Sequence, residues 1–152
     1  MLVQSLIGAA LIAATVVIHA VGTNYWVRLL LARYTNDEGR ILATKSFRIL
    51  IGTGLVLAAL HTMQIILWAI VYRNISYAGE LENFETAVYF SFVTFTTLGY
   101  GDITLSESGR VLSGIQAMNG ILLVGWSTAV LFAVVQKLWQ SDRSINIPVG
   151  KQ

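Results

Sequence analysis

The sequence predicts an all-α integral membrane protein: three transmembrane helices and one shorter segment that dips into the bilayer and returns. Three observations carry this. The 152 residues are 55% hydrophobic and only 12% charged, a balance foreign to soluble domains. Residues 1–27, 49–72 and 111–136 carry no Asp, Glu, Lys or Arg, and a hydrocarbon core of about 30 Å needs roughly 20 helical residues. A fourth uncharged run, 86–101, is too short to cross and ends in glycines.

The first span is assigned to residues 1–31. No basic residue precedes its apolar run and the first anywhere is Arg28, which argues against a secretory leader. Ser5, Gly8, Ala9 and Ala13 lie on related faces and suit close helix packing. Arg28 and Arg33 stand at its end, where snorkelling accounts for them. Residues 32–48 form a cytoplasmic linker, in which 39–47 has the amphipathic pattern of a short interfacial helix. The second span follows. His19 and His61 each lie about twelve residues from the cytoplasmic end of their span, so antiparallel neighbours would bring them together at mid-membrane. An intramembrane pair of this kind is either hydrogen-bonding glue between helices or a proton-sensitive element.

Asn83 is placed to cap a short helix running to about Thr96, with Glu85 in its first turn facing the positive dipole end. Val88, Tyr89, Phe90, Phe92, Val93 and Phe95 surround that helix with apolar surface. The last span starts at Gly109-Arg110; its polar Gln116 and Asn119 could face water or a neighbouring helix. Trp26, Tyr34 and Trp139 at one boundary and Trp68, Tyr72 and Tyr77 at the other suit aromatic belts. Residues 140–152 are a short tail.

Positive charge sets the expected orientation. Arg28, Arg33, Arg40, Lys45 and Arg48 cluster around the first connection, and Lys137, Arg143 and Lys151 around the tail. The second connection has Arg73 against Glu80, Glu82 and Glu85. The N-terminus is therefore expected outside, the first loop and the C-terminus in the cytoplasm, and the short segment entering from outside.

Residues Thr97-Leu98-Gly99-Tyr100-Gly101-Asp102 are the most specific motif. A dehydrated cation needs a cage of oxygens, and a backbone supplies one only if alternate residues leave the usual φ/ψ regions, which glycine tolerates cheaply. The motif resembles the potassium-channel selectivity filter, with Leu98 where the commonest form has Val. The resemblance covers residues 49–139, from the second span to Trp139, and leaves 1–48 as an additional element. It implies a homotetrameric pore in which Thr97, Leu98, Gly99, Tyr100 and Gly101 form the filter, with K+ held at Thr97, Leu98, Gly99 and Tyr100. Asp102 at the outer mouth is either a surface charge that attracts cations or, as the resemblance implies, held by a brace from Tyr89, although Val93 stands where some bacterial members place a glutamate. Gly120 matches the family's hinge glycine and Gly125 a second one lower down, with packing notches between helices as the alternative for both. By helical spacing Ile121, Val124, Thr128 and Phe132 share a face that would line the cavity below the filter.

The expected function is passive, selective conduction of K+ across the cell's inner (plasma) membrane, with lipid and copies of this chain as partners. A weakly selective cation channel and a non-conducting subunit that assembles with a partner are the alternatives. The first span lacks the repeated basic residues of a voltage sensor, and the tail is too short for a ligand-binding domain. Cysteine is absent, so thiolate metal sites are excluded. No paired carboxylates, nucleophile–base set or metal-ligand cluster suggests an enzyme or a cofactor beyond bound K+. No basic run interleaves with aromatics to suggest nucleic acid.

Overall fold

A computed structural model describes residues 2–34, 46–75, 81 and 83–143. Most of the expected interfacial helix at 39–47, Tyr77 and the end of the tail lie outside the described residues. Among the described residues, four helices follow in chain order: α1 (Leu2–Tyr34), α2 (Ser46–Asn74), α3 (Phe84–Phe95) and α4 (Glu107–Arg143). Each long helix outruns its uncharged core, because chain ends emerging from a bilayer can stay helical with charged side chains in water. Three of the four are long and apolar enough to cross a membrane, as the sequence predicts, and the protein is a multi-pass membrane protein.

Contacts along the helices fix their directions. Trp26 of α1 donates its indole N–H to Thr53 of α2 at 3.0 Å, while Gln64 of α2 reaches His19, so α1 and α2 are antiparallel. Against α4, α1 runs in parallel: Gly8 meets Ile115, Thr15 meets Asn119 and Leu30 meets Leu138. Helix α3 is wedged between α2 and α4. Its first residue, Phe84, lies 6.0 Å from the Arg73 guanidinium near the end of α2. Its last, Phe95, is buried with Ile65 and Leu123 deep between the spans. The chain then climbs back, so that Leu105 joins Leu112, Tyr72 and Trp68 at the level where α3 began.

The buried face of α1 is Gly8, Leu11, Thr15, His19, Thr23 and Leu30. Of the small residues expected to pack, only Gly8 does so; Ser5, Ala9 and Ala13 are exposed. Contact with α4 selected the face that also carries Thr15 and His19, whose hydrogen bonds outweigh the smoothness of an alanine stripe. Trp68 and Tyr72, assigned from sequence to an outer belt, are instead fully enclosed, with Tyr72 edge-on to Phe90 of α3 at 5.2 Å. They cushion the short helix and do not anchor at the interface. Asn83 occupies the N-cap position of α3, but its side chain makes no capping hydrogen bond.

The two undecided polar residues of α4 both point to neighbouring helices. Gln116 donates to the carbonyl and hydroxyl of Ser91 in α3, and Asn119 donates to Thr15 Oγ1 at 2.9 Å. Polar contacts of this kind hold spans together where lipid removes the hydrophobic drive.

A Cβ at Gly8 would lie 2.8 Å from Ile115. Replacing Gly8 with Val is expected to force α1 away from α4 and to destabilise the fold by about 1–3 kcal/mol, read as a lower thermal midpoint in detergent.

Candidate functional site

The site begins where α3 stops. Thr96 closes the helix in αR geometry, with its N–H and its hydroxyl both on the Phe92 carbonyl. Thr97 then enters the left-handed region at φ 59°, Gly99 follows at φ 55° and Gly101 at φ 79°. Every second residue is left-handed. Glycine explains two of the three positions. Thr97 is β-branched and has no such licence; among the described residues it is the one non-glycine with positive φ. A strained residue persists only where its surroundings over-determine it, and here they do. Thr97 N–H bonds the Thr94 carbonyl, while Leu98 N–H and Gly99 N–H both converge on the Val93 carbonyl at 3.0 and 3.3 Å. Sequence reasoning placed the conformational demand on the glycines and missed that it starts at Thr97.

Behind the loop, the Tyr89 hydroxyl donates to Asp102 Oδ2 at 2.6 Å. Tyr89 and Asp102 thus tie the middle of α3 to the far end of the motif. Leu98 and Tyr100 are themselves exposed, and so are Phe84, Tyr89 and Phe92 on one side of α3. The apolar surface around α3 is therefore only half covered within one chain. A cavity of about 470 Å³ lies between the loop, α3 and the start of α4, bordered by Val93, Thr97, Gly99, Ile103 and Ala117.

Below the loop, the lower end of α3 rests on α4 at Gly120. A Cβ there would fall 1.9 Å from the Phe95 carbonyl oxygen. The absence of a side chain at Gly120 lets the α3 backbone touch α4, two residues before the strained Thr97. Gly125, by contrast, has nothing within 4 Å of an added Cβ. Ile121, Val124, Thr128 and Phe132 are all exposed along one face of α4.

His19 and His61 do meet: their rings stack at 5.3 Å with an interplanar angle of 24°. Gln64 and Ser127 bridge them, two partners the sequence reading did not assign. Gln64 lies one turn from His61 on an apolar helix, a spacing that could have flagged it.

Residues 61–137 match the ion channel family. The chain belongs to that family. A potassium channel is among its relatives: the calcium-gated potassium channel TvoK of Thermoplasma volcanium is 42% identical over 62 residues. That match spans 40% of this chain and 18% of the relative. No solved structure matches significantly. As a member of an ion channel family, the chain is a transport protein and not an enzyme.

The two inner-helix glycines should separate in a stability measurement. Gly120→Ala is expected to cost about 3 kcal/mol, because the obstacle is backbone that cannot rotate away. Gly125→Ala, in open space within a helix, should be neutral or stabilising by up to about 1 kcal/mol. Denaturation of both variants in detergent tests the contrast.

Proposed function

We propose that the chain is one subunit of a homotetrameric, potassium-selective channel, with residues 97–102 forming the filter around a central axis. The observation that carries this reading is the alternation of left-handed residues at Thr97, Gly99 and Gly101 directly after a re-entrant helix. Such alternation is what allows consecutive carbonyls to face one side, and four copies of that strand would replace the water a bare K+ gives up. The carbonyls of Thr97, Leu98, Gly99 and Tyr100 would bind the ion, with the Thr97 hydroxyl at the inner end. Tyr89 and Asp102 would brace the strand from behind.

Symmetric assembly accounts for the surface left bare in one chain. The exposed aromatic side of α3 and the cavity beside Gly99 and Ala117 would be filled by neighbouring subunits. The exposed face of Ile121, Val124, Thr128 and Phe132 would line the water-filled cavity. Because Gly120 seats α3, it serves as the fixed point, and the bend of α4 falls to Gly125. The partial negative end of α3, at the level of Phe95, would favour a cation in that cavity. The distribution of positive charge supports an N-terminus outside and a C-terminus in the cytoplasm, with the channel in a cell's plasma membrane. The relative's calcium gating is not carried over, since the match covers so small a part of that protein.

Purified protein in liposomes is expected to pass K+ and Rb+ well ahead of Na+. Equal fluxes for K+ and Na+ would refute selectivity, and no flux of any cation would refute the channel. Gly99→Ala should abolish K+ flux with little change in helical content: the added methyl meets nothing within 4 Å, but a left-handed φ costs a non-glycine residue about 1–2 kcal/mol. Tyr89→Phe should leave the fold intact and make K+ current decay under sustained voltage; unchanged sustained current would count against the brace.

A further inference from the structure

At mid-depth, where α1, α2 and α4 converge, four side chains close a ring of hydrogen bonds. Gln64 Nε2 donates to His19 Nδ1 at 3.1 Å. An acceptor at Nδ1 places the His19 proton on Nε2, which donates to Ser127 Oγ at 3.2 Å. Ser127 passes its own proton on to His61 Nε2 at 2.9 Å. His61 therefore carries its proton on Nδ1, facing Gln64 Oε1 at 3.3 Å. Each group donates once and accepts once. The second Gln64 N–H points at the Thr15 carbonyl at 3.4 Å, which favours this direction. His19, Gln64 and Ser127 are buried.

We propose that this ring is a proton-operated clasp between α1 and the two spans that flank α3: intact when both imidazoles are neutral, open when either gains a proton. A second proton on His19 would set Nδ1–H against the Gln64 amino group. Turning the amide and moving the His61 proton to Nε2 removes that conflict, but Ser127 then accepts from both rings. A second proton on His61 reaches the same arrangement, with the Ser127 proton turned out of the ring. Either way the extra proton leaves a full positive charge among buried groups, and water entering between the helices is what would solvate it, so the contacts that join α1 to α2 and α4 lengthen.

The surroundings offer no compensating charge. From α1 the ring meets Thr15 and, one turn on, Thr23, which bonds the His19 carbonyl. From α4 Trp126 stands edge-on to His19 at 5.7 Å, and from α3 Phe95 tilts against His61 at 5.6 Å. Among the described residues, no Asp, Glu, Lys or Arg contacts either imidazole. Phe95 is also the residue whose carbonyl seats on Gly120, two residues before Thr97. Opening the clasp would therefore disturb the packing directly beneath the motif.

The chain's composition makes the test clean, because it has two histidines and no cysteine. Full-length protein labelled with 15N-histidine would be placed in liposomes and titrated from about pH 8 to about pH 4. In parallel, spin labels at Ala32→Cys and Gln140→Cys, both exposed at the same end of α1 and α4, would report their separation in assemblies diluted with unlabelled chain. At high pH one Nε2-protonated and one Nδ1-protonated imidazole are expected. Acid should convert them to imidazolium as the labels move apart by about 2 Å or more, with helical content unchanged. Ser127→Ala should give the acid distance already at high pH, and Ser127→Thr should restore the wild-type response. One shared tautomer, rings that stay neutral throughout, or protonation without a change in separation would each overturn the proposal. If Ser127→Ala does not assemble, the wild-type spectra and distances decide alone. None of these readouts depends on ion flux, so failure here and failure of the channel reading are distinguishable.

Discussion

Hydrocarbon offers no hydrogen-bond partner, and every polar group that enters it must be satisfied from within the chain. This one constraint organises the molecule. It makes the spans helical, and it turns several buried polar side chains into links between helices. Trp26 with Thr53, Thr15 with Asn119 and Gln116 with Ser91 are three such links. The same constraint limits where irregular backbone can run. The turn after α3 is tolerated because the Val93, Thr94 and Phe92 carbonyls take up the N–H groups that leave the helix.

The strained loop and the packing beneath it form one unit. Thr97 holds a left-handed conformation because the hydrogen bonds from Thr97, Leu98 and Gly99 leave it no other. Those bonds have a fixed origin only because Phe95 rests on Gly120, where the missing side chain lets backbone meet helix. On the other side, Asp102 is held by Tyr89 from the same short helix. Helix α3 thus grips the motif at both ends, and α2 and α4 grip α3. Helix α1 joins this unit through polar side chains as well as apolar ones.

Much of this was legible along the chain. Uncharged runs gave the three spans, the glycine spacing gave the motif, and the depth of His19 and His61 anticipated their meeting. Faces were harder to read. Trp68 and Tyr72 look like boundary aromatics by position, yet they are core, because α3 folds back against them. Ser5, Ala9 and Ala13 look like a packing stripe, yet they face outward. In helices that are apolar all round, hydrophobic periodicity cannot choose a face, since lipid and protein reward the same side chains.

The sequence by itself determined the class, the number of spans and the place of the motif, because burial in lipid and left-handed backbone are local demands that composition and glycine spacing record. Only the tertiary structure decided which polar groups pair. Gln64 and Ser127 became partners of the two histidines, and Gly120 became a seat, through contacts between residues up to 108 positions apart. Those pairings depend on the rotation of each helix about its axis, and that rotation is set by where hydrogen bonds can close between neighbours.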